Sequence, residues 1–118
     1  MILLVEDDAI TRMEMAEALR TSGHQVLEAE DGEEALDLLR GNPVKLVVVD
    51  CVMPGIDGLK LMKLLQHRRP DLPIILISGH LSEEVGDVIA ATSKNYSKYL
   101  SKPVRPSALL RTVQELLG

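Results

Sequence analysis

Three unbroken aliphatic runs, Ile2 to Val5, Leu46 to Val49 and Ile74 to Ile77, constrain what this chain can fold into more than any other feature. A strand with one face in water alternates apolar and polar residues; a strand covered on both faces has no reason to alternate. All-parallel sheets are covered on both faces in this way, and parallel neighbours need a crossover of about a dozen residues or more, usually a helix. The sequence supplies such crossovers, because a helix-length amphipathic stretch follows each run in the manner of successive βα units. The spacing predicts strands at 2–6, 25–29, 45–49, 73–77 and 98–100, and helices at 8–21, 32–40, 57–67, 83–93 and 106–117.

Local signals support those boundaries. Leu109, Leu110, Val113, Leu116 and Leu117 form a helical stripe, with Pro106 at the favoured first position. Asp31 to Glu34 reads as a capping box opening the second helix, and Asn42-Pro43 closes it. Asn95 stands where the fourth helix needs a left-handed residue to stop. The second strand mixes Gln25, Glu28 and Glu30 with Val26 and Leu27, and the fifth is a short stretch around Tyr99 and Leu100, so both are expected at the sheet edges. Right-handed crossovers then give the order 2-1-3-4-5 in a doubly wound α/β sheet with helices on both faces. At 118 residues this is one domain, expected to span residues 1–118 with no output or DNA-binding domain.

Ligands of such sheets bind beyond the carboxyl ends of the strands, where strand order reverses. That point lies between the first and third strands. The residues at the carboxyl ends are Glu6, Asp7 and Asp8, then Asp50, Ser78 and Lys102. Carboxylates crowded together repel by roughly 4 kcal/mol per close pair at an effective dielectric near 20, so they call for a hard cation. Mg²⁺ fits, because it takes oxygen ligands and is usually held by one or two carboxylates plus phosphate oxygens. A carboxylate can then attack phosphorus to give an acyl phosphate, while an ammonium and a hydroxyl steady the charge of the moving phosphoryl group.

Composition narrows the partners. A net charge of −5 argues against direct nucleic-acid binding, and two Tyr with no Phe or Trp leave little on which bases stack. The single cysteine, Cys51, forms no internal disulfide, and no apolar run reaches membrane-span length, so a cytoplasmic location without membrane contact is expected.

Five segments, "ILLVEDD" at 2–8, "DGEEAL" at 31–36, "VVVDCVMPGIDG" at 47–58, "PIILISGH" at 73–80 and "YLSKPV" at 99–104, occur in an order and spacing that resemble the receiver domain of two-component response regulators. The resemblance covers essentially the whole chain and implies a flavodoxin-like (βα)5 fold, similar to CheY. It makes Asp50 the phosphoacceptor and Glu6 and Asp7 the acid pair serving Mg²⁺, joined by Asp50 itself and the backbone carbonyl of Val52. Ser78 corresponds to the hydroxyl that meets the phosphoryl group, Lys102 to the family's lysine and Tyr99 to its aromatic switch, with a cis bond before Pro103. The implied donor is a histidine kinase or histidine phosphotransfer protein. The implied output is a downstream effector protein, engaged through the surface of the fourth helix, fifth strand and fifth helix, by a monomer or weak dimer.

The chain departs from the family pattern at Lys94, Asn95 and Tyr96, where a Gly-Ala pair is usual, and at Arg105, where a capping Ser or Asp is commoner. Gly79 after Ser78 leaves the pocket open, with His80 beside it.

Other readings compete residue by residue. Asp8 reads first as the cap of the first helix, and Cys51 as a packed neighbour of Asp50. The three histidines lack metal-ligand spacing, and Met13, Met15 and Met62 suit packing. A phosphatase of the haloacid dehalogenase type would need a second acid in "DCVM", which has none. A receiver belonging to a hybrid sensor histidine kinase, and a binding module that takes no phosphate, stay open as alternatives.

Overall fold

The three central strands of the computed structural model owe their place to aliphatic residues that need cover on both sides. Residues 1–50, 58–78 and 97–117 are described below. The predicted fourth helix at 83–93, the Asn95 stop, Tyr96, Cys51, Val52, Gly79 and His80 lie outside the described residues.

Five parallel strands, β1 (Ile2–Val5), β2 (Val26–Ala29), β3 (Leu46–Asp50), β4 (Ile74–Ser78) and β5 (Ser97–Ser101), form one sheet in the order β2-β1-β3-β4-β5. The three aliphatic runs are its centre and the two mixed strands its edges, as their compositions predict. Around it lie α1 (Ala9–Thr21), α2 (Gly32–Gly41), α3 (Gly58–Arg68) and a C-terminal helix (Pro106–Leu117).

Successive side chains of a strand point to opposite faces, and two separate cores follow from that period of two. Ile2, Leu4, Leu46, Val48, Ile75 and Ile77 pack with Met15, Ala16 and Leu19 of α1 and with Leu109 and Val113 of the C-terminal helix. Leu3, Val5, Val47, Val49, Ile74 and Leu76 pack with Ala35 and Leu36 of α2 and with Leu61 and Leu65 of α3.

The helix starts follow the expected chemistry. Asp8 caps α1, its carboxylate accepting from the Thr11 amide at 3.2 Å and from the Thr11 hydroxyl. That hydrogen bonding holds the Asp8 carboxyl below the usual carboxylate range. Asp31 caps α2 by accepting from the Glu34 amide at 2.8 Å, and the chain turns extended at Asn42. The C-terminal helix begins at Pro106 without a Ser or Asp before it; the Arg105 carbonyl accepts from Ala108 and Leu109.

Candidate functional site

The register of β1 and β3 brings the first two site residues together. Ile2 lies beside Leu46 and Leu4 beside Val48, all on the face covered by α1 and the C-terminal helix. Two residues beyond Leu4 and Val48 come Glu6, just past β1, and Asp50, the last residue of β3. The acids therefore prolong an apolar row, and both are buried, with 2% and 3% of their surface exposed. Asp7, the next residue after Glu6, is exposed. One carboxylate oxygen from each of Glu6, Asp7 and Asp50 lies within 4.8 Å of the others.

Lys102 arrives from the far edge. Asp50 sits opposite Ile77, Ile77 opposite Leu100, and Ser78 opposite Ser101, so the residue after β5 emerges at the level of the acids. Its Nζ donates to Asp50 Oδ2 at 2.9 Å and stands 4.0 Å from Glu6 Oε1. The Lys102-Pro103 peptide bond is cis, as the family resemblance implies. Ser78 ends β4, and Tyr99 lies within β5 opposite Leu76; for both the backbone position alone is described. Beside the acids, Met15, Ile77, Val104, Leu109, Glu6 and Lys102 line a cavity of about 460 Å³.

Burial of a carboxylate among carboxylates has a measurable consequence. Glu6 is pushed up from 4.5 to about 8, chiefly because burial strips water from its charged form. A hydrogen bond to Asp50 and the charge of Asp50 act in the same direction, as does a hydrogen bond to Asp7, while the Asp8 backbone N–H opposes them. At neutral pH Glu6 thus keeps its proton unless a cation favours the ionised form. Three hard oxygen donors in this arrangement suit Mg²⁺, which needs few protein ligands and retains water on the others.

Arg12 is a residue of this region that motif reading passes over. It sits on the buried stripe of α1 with Met15, Ala16 and Leu19, yet it carries a charge. Its Nη1 donates to the Glu6 backbone carbonyl at 2.8 Å, Nε stands 3.4 Å from Glu28 Oε1, and Nη2 3.8 Å from Glu30 Oε1. A cation at i−3 and i−4 from core positions was the available signal.

The family model for the response regulator receiver domain matches residues 2–114. The chain belongs to that family. Among curated relatives, this receiver domain is 35% identical over 116 residues to "Response regulator MprA" of Mycobacterium sp. (strain KMS), covering 98% of this chain and 50% of the relative. It is 37% identical over 118 residues to "Sensor kinase CckA" of Brucella abortus (strain 2308), covering 98% of this chain and 12% of the relative. The receiver domain thus spans half or less of the length of these curated relatives.

Solved receiver structures superpose closely. A CheY-like response regulator receiver domain protein from Methanospirillum hungatei JF-1 gives a TM-score of 0.90 at 27% identity, covering 98% of this chain and 91% of that one. Chemotaxis protein CheY4 of Vibrio cholerae gives 0.87 at 26% identity, covering 98% and 96%. The flavodoxin-like fold and the two-component signalling class stand on these likenesses together with the family match.

Proposed function

We propose that this receiver domain accepts a phosphoryl group on Asp50 from the phosphohistidine of a histidine kinase or histidine phosphotransfer protein. The observation that carries the reading is the Lys102 ammonium 2.9 Å from Asp50 inside a cluster of three carboxylates. An Asp50 oxygen forms the O–P bond while the donor's N–P bond breaks, and the electron pair leaves with the imidazole nitrogen.

Lys102 is placed to neutralise Asp50 at rest and to stay beside the oxygens of the transferred group, a stabilisation worth most where water is scarce. Glu6, Asp7 and Asp50, with the Val52 carbonyl, are the residues that would hold Mg²⁺. When bound, Mg²⁺ supplies positive charge against both the acids and the phosphoryl oxygens. Ser78 is assigned the hydroxyl contact to the phosphoryl group and Tyr99 the aromatic switch. The phosphorylated state then favours a rearranged output surface that binds a downstream effector. The chain acts as a signalling module that assists its own phosphorylation and dephosphorylation, in the cytoplasm, with neither nucleic acid nor membrane as a direct ligand. Among the described residues no helix is long and apolar enough to cross a membrane.

The test is incubation with acetyl phosphate, with and without Mg²⁺, read by intact mass beside Asp50→Asn. A single phosphoryl adduct that requires Mg²⁺ and is absent from the variant supports the reading. No adduct, even after rapid quenching, favours a phosphate-independent binding module. The likeness to a sensor kinase at 37% identity supports a second setting for the same chemistry, a receiver within a hybrid kinase.

A further inference from the structure

β1 ends at Val5, and the chain leaves the sheet through Glu6. The Glu6 N–H still pairs with the Ala29 carbonyl of β2 at 3.0 Å, but its own carbonyl turns to the Arg12 guanidinium at 2.8 Å. Arg12 thus takes the place of the next strand partner. A carbonyl and the following N–H belong to one planar peptide group, so the arginine that fixes the Glu6 carbonyl also fixes the plane from which Asp7 departs. Arg12 is itself held from two sides. Glu28 presents one oxygen to Arg12 at 3.4 Å and the other to Arg20 at 3.1 Å, and Glu30 stands 3.8 Å from Arg12. The arginine side chain is largely buried, with 14% exposed, so its fork is fixed in orientation. Thr11, its neighbour, ties the Asp8 carboxylate to the first turn of α1, and the Asp8 amide donates to Glu6 Oε2 at 3.4 Å.

We infer that Arg12 is a positioning residue for divalent-cation binding: by holding the Glu6–Asp7 peptide it sets the acid pair in the geometry that a hard cation requires, with Glu28 as the brace that orients the arginine. The inference rests on the proposed cation-assisted phosphorylation of Asp50. Metal sites depend on the groups that orient their ligands, and loss of such a group typically weakens binding by about 10-fold or more. Arg12 reaches the Glu6 backbone carbonyl, Glu28 and Glu30 and none of the clustered carboxylates, so its effect would fall on affinity for Mg²⁺ and not on the chemical step once Mg²⁺ saturates.

The experiment is an NMR titration of the full chain with MgCl₂, following the Asp7, Asp8 and Asp50 amides in wild type, Arg12→Ala, Arg12→Lys and Glu28→Gln. Acetyl phosphate phosphorylation is measured in parallel as a function of Mg²⁺ concentration. The expected result for Arg12→Ala is Mg²⁺ affinity weaker by about 10-fold, with the phosphorylation rate at saturating Mg²⁺ preserved. Arg12→Lys keeps the charge but cannot serve the Glu6 carbonyl and Glu28 together, so it remains weakened. Glu28→Gln shifts affinity in the same direction by a smaller factor and adds nothing in the double variant with Arg12→Ala. Folded Arg12→Lys and Glu28→Gln proteins that bind Mg²⁺ as wild type does would overturn the role of Arg12, even where Arg12→Ala fails to fold. Wild type without Mg²⁺-dependent shifts would instead overturn the reading of the acid cluster itself, and this inference with it.

Discussion

Lys102 Nζ lies 2.9 Å from Asp50 Oδ2 but 4.0 Å from Glu6 Oε1, so one ammonium pairs directly with the first buried carboxylate and stands farther from the second. Its removal takes from buried Asp50 a cation partner at 2.9 Å. Breaking a fully buried ion pair costs about 3–5 kcal/mol, but the Lys102 side chain is 39% exposed and water compensates in part. Lys102→Ala is expected to lower stability in the absence of Mg²⁺ by about 1–2 kcal/mol, and addition of MgCl₂ to restore part of the loss. Urea titrations with and without MgCl₂ check this; an unchanged midpoint would count against the pairing.

Glu6 makes stability depend on pH in the direction opposite to a salt-bridged acid. Its carboxyl titrates near 4.5 when unfolded and near 8 when folded. Below about pH 4.5 both states are protonated and nothing is lost. Between the two values the unfolded chain releases a proton that the folded chain keeps, so folding weakens as pH rises, by about 1.4 kcal/mol per unit, and levels off above 8. Glu6→Gln removes this contribution. Its metal-free unfolding curves, compared with wild type from pH 5 to 9, should gain steadily on wild type; parallel curves would mean that another group carries the proton.

If the acid cluster holds Mg²⁺ as proposed, the same proton competes with the cation. A metal bound by Glu6 must displace it, so at pH 6.5 Mg²⁺ binding is expected to release nearly one proton, and near pH 9 almost none. Apparent affinity should rise roughly tenfold per pH unit below about 8. Calorimetry in buffers of different ionisation enthalpy counts the protons, and Asp7→Asn, which leaves Glu6 in place, serves as the comparison. Binding without proton release at pH 6.5 would place the cation away from Glu6.

Leu109 anchors the C-terminal helix against the core that continues into the acid row, and it is fully buried. Leu109→Ala should cost about 2–5 kcal/mol. A denaturant midpoint shifted by less than the equivalent of 1 kcal/mol would show that α1 and the helix close over the gap.

The central strands and the acid cluster were legible because their causes are local. Ile2 to Val5, Leu46 to Val49 and Ile74 to Ile77 declare burial on both faces by composition, and Glu6, Asp7, Asp50 and Lys102 sit at strand ends that the topology gathers. Asp8 is the helix cap that its residue type predicts. Strand limits were less legible. β3 runs on through Asp50 and β5 spans Ser97–Ser101, longer than the predicted 98–100, because pairing with β4 decides how far a polar edge strand extends. Arg12 escaped notice since its partners, the Glu6 backbone carbonyl, Glu28 on β2 and Glu30 just after it, come together only after folding. Nothing in the local sequence around Arg12 names Glu28.

The Arg20–Glu28 pairing has a further consequence at the outer margin of the sheet. Gln25 and Ala29 direct their carbonyls inward to β1, so Val26, between them, turns its carbonyl outward. Arg20 Nη2 already occupies that carbonyl at 3.0 Å, and its other nitrogen holds Glu28. An incoming strand from a second molecule would have to displace this guanidinium from the Val26 carbonyl, and disturb its pairing with Glu28, to bond there. β2 is an edge by topology, but it is fenced against the strand-by-strand polymerisation that bare edges invite.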